Sequence, residues 1–163
     1  MAEELDFSQT ESEITDEMEN MYLNFFVGEG VYGIEIRYVL QIIGMQKIEA
    51  MPEMPMYMKG FINLRGNIIP VVSMRERFGQ FEDPYNERTC IIITQVGDRE
   101  VGLIVDAIKE TITIEPEQVS PQPAATQGMD NAYIKGIAKL TAGDVSILID
   151  VQRLFGGYDI PMY

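Results

Sequence analysis

The sequence predicts a mainly β protein built from small closed barrels with short helices, and three observations carry that prediction. Many short apolar runs alternate with polar residues at a period of two and are separated by Gly, Asn and Asp turns. Helical signals are few and brief, which favours barrels over layered α/β folds. The chain also echoes itself: 68–79 and 146–156 each read as a strand, a capping Ser73 or Asp150, a short Arg-containing helix and Phe-Gly. Such an echo suggests two related lobes.

The elements follow in order. Residues 1–20 hold eight carboxylates and no Lys or Arg, with few large apolar groups, and are expected to form a disordered acidic tail. Runs 22–27 and 31–36 flank Gly28-Glu29-Gly30 as a hairpin, with Tyr32, Ile34 and Ile36 on one face. Gly28, Gly30 and Gly33 have the G-x-G-x-x-G spacing of a dinucleotide loop. That motif needs a helix to follow, whereas this segment continues as a strand, so no nucleotide cofactor is expected.

Residues 37–44 read as a helical turn entering an edge strand. The Met- and Pro-rich stretch 45–58 excludes a long helix and is expected to be a connecting loop. Next, 59–79 places Arg65 inside apolar sequence: Leu64-Arg65-Gly66-Asn67 reads as a tight turn between two buried strands. A guanidinium there lies at the rim of a core, where its fixed fork of donors can serve either the fold or a partner.

Ser73 with Glu76 matches a capping box, and Gly79 supplies a stop. After a polar loop at 80–86, strands are expected at 89–96 and 100–106, the first central because it is nearly all apolar, the second with Val101, Leu103 and Val105 on one face. Ile108, Ile112 and Ile114 are expected to share one side of the next strand. Prolines make 115–129 an irregular excursion. A last hairpin, 133–140 with 145–149, precedes a short helix capped by Asp150 and ended by Gly156-Gly157.

The composition narrows function. A chain of 163 residues fits one domain or two mutually dependent lobes. Its net charge of −14 repels phosphates and anionic membrane surfaces, and no apolar run is long enough to span a bilayer, so neither nucleic-acid binding nor direct membrane insertion is expected. With the acidic tail set aside, the body carries only −6. The chain has no histidine, and its one cysteine, Cys90, lies in an apolar run and reads as a buried small hydrophobe. No metal site, P-loop or calcium loop is legible. Carboxylate pairs among Asp98, Asp106, Asp144 and Asp150 leave a narrow opening for an enzyme. The shortage of catalytic groups points instead to binding, through loop residues such as Tyr38, Met54, Tyr57, Met58 and Arg65.

Gly60-Phe-Ile-Asn-Leu-Arg-Gly-Asn-Ile-Ile-Pro-Val-Val72, followed by Arg75 and Phe78-Gly79, resembles the signature of the CheW family of chemotaxis coupling proteins. The likeness extends over about 22–155. It implies two pseudo-symmetric five-stranded SH3-like β-barrels within a domain at 21–156, the second lobe at about 89–143 and the first the remainder, with 157–163 as a C-terminal tail. It also implies a non-catalytic adaptor, without cofactor, that joins chemoreceptors to the histidine kinase CheA.

The implied partners are the regulatory domain of a CheA-like kinase, the cytoplasmic hairpin tip of a chemoreceptor, and other CheW-like domains in a ring or array. The implied location is the cytoplasm, at receptor arrays on the inner membrane. By motif, Val39 and Ile42 fall on the apolar wall of the receptor groove and Arg65 at its rim, either fixing the groove loop or meeting the receptor. Val101 and Leu103 fall near the kinase-facing second lobe, and Gly60, Gly66, Gly102 and Gly136 match glycines that serve backbone geometry. The sequence departs from the family in Ser73, where Asp is usual, in its Met- and Glu-rich loop before Gly60, and in its acidic tail. A scaffold for another sensory kinase pathway, such as pilus motility or development, stays open beside the chemotaxis reading.

Overall fold

The computed structural model describes residues 5–6, 18–121, 132–141 and 143–155 of the chain. These residues form two six-stranded mixed sheets with short helices. In spatial order the first sheet is β1 (Leu5–Asp6), β4 (Val39–Gly44), β7 (Cys90–Val96), β8 (Arg99–Val105), β6 (Asn67–Ser73) and β5 (Met58–Leu64). The second is β10 (Val119–Ser120), β11 (Ile134–Lys139), β12 (Val145–Ile149), β3 (Gly30–Glu35), β2 (Met21–Val27) and β9 (Ala107–Thr113). The α-helix α1 (Met74–Arg77) follows β6, and single 3-10 turns cover Ile36–Tyr38, Pro116–Gln118 and Val151–Arg153.

The sheets are mixed because one pair in each is parallel: β6 with β8, and β12 with β3. These pairs bring together distant parts of the chain, so the sheets do not divide it at a single point. Strands β7 and β8 pair with β4 and β6 in the first sheet. The internal echo appears as matching topology. The hairpin β5–β6 corresponds to β11–β12, each has an irregularity ending at a glycine, Gly60 or Gly136, and each leads into a capped helical turn.

Among the described residues, three apolar clusters fill the structure. The largest joins the sheets, with Leu23, Phe25 and Ile34 from one and Val72, Ile92 and Leu103 from the other. A second covers the other face of the first sheet through Ile43, Ile62, Ile69, Ile91 and Ile104. Burial on both faces is why β7 reads as an unbroken apolar run. The third cluster, Tyr22, Ile114, Ala138, Leu140 and Leu148, belongs to the second sheet.

One expected face is split. Pairing between β2 and β9 shifts from Asn24 opposite Glu110 to Phe25 opposite Ile108, leaving Lys109 as an extra residue. A one-residue bulge reverses side-chain parity. Ile108 therefore packs on the shared core while Ile112 and Ile114 pack on the third cluster. The acidic tail is seen only in part. Leu5 and Asp6 pair with Ile42 and Gln41 of β4, and most of 1–20, like the C-terminal tail and Gly156-Gly157, lies outside the described residues.

Candidate protein-interaction site

Arg65 and Gly66 are the two central residues of the β5–β6 hairpin, with φ of 54° and 89°. Positive φ at both positions is the turn whose twist matches the flanking strands. Leu64 pairs with Asn67 across it, and Asn63 Oδ1 accepts the Gly66 N–H at 2.9 Å. Arg65 is exposed at the tip, in a left-handed conformation that a side chain with a Cβ adopts at a cost of about 1–2 kcal/mol. At the other end of the hairpin, Gly60 has φ 138° and a Cβ there would collide with the Glu49 carbonyl, because 49 bridges to Phe61.

The other sequence-selected residues fall elsewhere. Val39 and Ile42 on β4 are 1% and 2% exposed, and Val101 and Leu103 on β8 are fully buried; all four lie in the core shared by the sheets. Their side chains pack within that core. Gly102 and Gly136 leave room for Ile91 and for the Ser120 carbonyl. Ser73 Oγ accepts the Glu76 N–H at 3.3 Å, and Asp150 Oδ1 accepts the Gln152 N–H at 3.0 Å. The reciprocal half of the Ser73 box is not made: the Ser73 N–H donates to the Tyr57 carbonyl, and the Glu76 carboxylate takes Lys59 at 2.7 Å.

Sequence reasoning names Arg75, Phe78 and Asp106 but misses their role in bolting the sheets together. Arg75 Nε and Nη2 donate to Asp106 at 2.9 and 2.6 Å, and Asp106 Oδ2 also accepts the Gly28 N–H at 2.7 Å. One carboxylate thus joins α1 of the first sheet to the β2–β3 turn of the second. Arg77 donates twice to the Leu154 carbonyl and lies over the Tyr133 ring at 4.8 Å. Phe78 stacks between Tyr32 and Tyr133, at 4.5 and 5.6 Å. The signal available was Arg-x-Arg-Phe after a cap, but only the fold supplies the partners.

Lys59 links Glu76 and Glu82, the latter at 2.8 Å. Burial alone disfavours its charge, yet the hydrogen bonds to the two carboxylates outweigh this and raise the ammonium's pKa. Burial would likewise raise the Glu82 carboxyl, but hydrogen bonds from Lys59, Tyr85 and Ser73 bring it below the ordinary range. Beneath this network a cavity of about 90 Å³ is lined by Arg75, Tyr85, Asp106 and neighbours. That is well short of a small-molecule pocket, which needs roughly 300 Å³. Among the described residues no three His, Cys, Asp or Glu side chains gather as metal ligands, and no helix is long and apolar enough to cross a membrane.

Two interlocked β-sheets with charged and aromatic side chains held on connecting loops define a protein-contact module. The model of the CheW-like domain family matches residues 21–158, and the chain belongs to that family, whose proteins are non-catalytic adaptors in chemotaxis signalling. Chemotaxis protein CheW of Klebsiella aerogenes is 30% identical over 141 residues, covering 86% of this chain and 84% of its own length. The Bacillus subtilis protein of the same name is 34% identical over 115 residues, covering 71% and 74%. The crystal structure of the scaffolding protein TtCheW from Thermoanaerobacter tengcongensis superposes with a TM-score of 0.78 at 34% identity, covering 88% of this chain and 97% of that one.

Proposed function

We propose that the chain is the adaptor that couples chemoreceptors to a CheA-type histidine kinase, working in the cytoplasm at receptor arrays. In this reading the two sheets curl as SH3-like barrels, and the receptor's cytoplasmic hairpin tip docks between them with Arg65 at the rim. Val39 and Ile42, buried on β4, shape that wall from behind. The regulatory domain of the kinase meets the molecule through 89–143, where Val101 and Leu103 hold β8 in position, and other CheW-like domains use the pseudo-equivalent face to extend a ring.

The observation that carries this reading is the conformation of Arg65. A guanidinium is kept exposed at a hairpin tip in a left-handed backbone conformation. Backbone strain of that kind clusters at functional sites. The flat guanidinium fork suits a carboxylate or carbonyl pair on a partner.

A two-partner titration tests the proposal, with the full chain against the regulatory domain of the CheA-like kinase and against a receptor cytoplasmic hairpin, wild type beside Arg65→Ala. Binding to both, with roughly tenfold or greater selective loss at the receptor, is the expected result. Binding to neither sinks the coupling role and moves the chain to another sensory kinase pathway.

A further inference from the structure

The loop between α1 and β7 reads in sequence as merely polar, yet it carries Phe81 at 93% exposure. This is the most exposed large apolar side chain among the described residues, and Tyr85, at 44%, and exposed Pro84 share its loop. Single exposed apolar residues are ordinary on protein surfaces. This one differs in how firmly its backbone is held.

Arg75 Nη1 donates to the Phe81 carbonyl at 3.3 Å, and Arg75 Nη2 lies 3.3 Å from Asp83. The next residue along, Glu82, is gripped by Lys59 and by the Tyr85 hydroxyl, both at 2.8 Å. On the other side, the Gln80 side chain hydrogen-bonds Tyr32 and packs under Gly28. The chain is therefore anchored on both flanks of a ring that itself touches water. With its backbone already held, an aromatic side chain has only its own two torsions to order on binding, which suits an interface anchor.

The surrounding charge specifies what fits. Of the cations near the loop, Lys59 and Arg75 are turned to the carboxylates that brace it, and Arg88 is exposed beside Glu87. Asp83, with 72% of its side chain exposed, and exposed Glu87 face outward. The complement is an apolar cleft with Lys or Arg at its rim. Position matters as well. Arg65 lies at the start of β6 and the Phe81 loop beyond its end; seven residues at ~3.3 Å each separate them by roughly 20 Å. A partner seated on Arg65 leaves Phe81 uncovered.

We infer that Phe81 anchors a second docking surface, and that its occupant is a basic-rimmed apolar cleft on the kinase regulatory domain. The inference rests on the function proposed above and names a contact for it outside 89–143. An adaptor that must hold two partners at once needs two such separated surfaces.

The test uses the full chain with Phe81→Ser, Phe81→Trp and Glu87→Lys, titrated with the kinase regulatory domain and the receptor hairpin, with sedimentation velocity as a check on self-association. Phe81→Ser is expected to weaken kinase-domain binding about tenfold or more while receptor binding and melting temperature stay at wild type. Phe81→Trp retains affinity, and Glu87→Lys slows association and reduces its salt dependence. Kinase binding by Phe81→Ser within about twofold of wild type, a gap of roughly 0.4 kcal/mol, overturns the inference, and so does equal loss at both partners or an effect confined to self-association. If the wild-type chain binds no kinase domain, the functional reading falls and takes this contact with it.

Discussion

Replacing Asp106 with alanine tests the account of how the two sheets are held together. The substitution removes the acceptor of two Arg75 donors, at 2.9 and 2.6 Å, and of the Gly28 N–H at 2.7 Å. It strands a guanidinium whose side chain is 22% exposed beside a carboxylate site that is 28% exposed. Breaking a fully buried ion pair costs roughly 3–5 kcal/mol, and an exposed one less than about 1. Water reaches this pair in part and Asp83 offers Arg75 a second carboxylate, so about 2–3 kcal/mol is expected. For a chain of this size that lowers the melting temperature by roughly 4–12 °C. Urea unfolding should show a lower midpoint at an unchanged slope. Combined with Arg75→Ala in a double-mutant cycle, the pair should return a coupling energy above about 1 kcal/mol. A loss below about 0.5 kcal/mol, or full additivity of the two changes, would refute the idea that this carboxylate bolts the lobes.

Three further outcomes follow from the same geometry. Arg65→Gly removes the left-handed strain, so thermal stability should be unchanged or up to about 1 kcal/mol higher while receptor binding falls; a clear loss of stability would make Arg65 a loop-ordering residue instead. Val39→Glu places a charge at a position 1% exposed within the shared core, and chemical denaturation should show a loss of roughly 3 kcal/mol or more, so that weakened receptor binding by this variant would report unfolding. Cys90 is buried and its thiol is pushed from 9.0 up to about 11 by desolvation. Its contribution to stability is full below pH 9.0 and lost as pH rises toward 11, and iodoacetamide at pH 8 should label it only in urea; labelling of the folded chain would show the β7 core to be open.

Local features of the fold were legible because they depend on near neighbours. The hairpins at Gly28, Arg65-Gly66 and Asp98, the cap at Ser73 and the loop of prolines before Gly60 each announce themselves within a few residues. What the sequence hid is set by long-range pairing. The parallel contacts of β6 with β8 and of β12 with β3 decide which strands share a sheet, and no local pattern encodes them. The bulge at Lys109 is similarly silent, since alternation of Ile108, Ile112 and Ile114 looks regular until the partner strand shifts. For the site, Arg65 stood out as a charge inside an apolar run and is found exposed. Val39, Ile42, Val101 and Leu103 were selected by motif and are core residues, a distinction that burial alone makes. Phe81 was passed over because one phenylalanine among Gln, Glu and Asp does not change the polar character of a loop.

The way the sheet edges are finished bears on how such a module meets other proteins. An open edge strand invites pairing with any extended chain, and folded proteins blunt it with charges, bulges or short cover strands. Here β4 carries the two-residue β1, and β11 carries the two-residue β10. On the opposite edges, β9 has its bulge at Lys109 beside Glu110, and β5 is bridged by Glu49 to Phe61 next to the irregularity at Gly60. Two edges are thus covered by short strands and two are distorted locally. The side chains held outward against a cost, Arg65 by backbone strain and Phe81 by solvent exposure, lie instead on loops at the two ends of β6. Recognition through loop side chains on a rigid frame allows a partner to be chosen by shape and charge, where edge pairing would accept strands with little regard to sequence. Under the proposed coupling role, that separation of ends is what would let two partners be held at once.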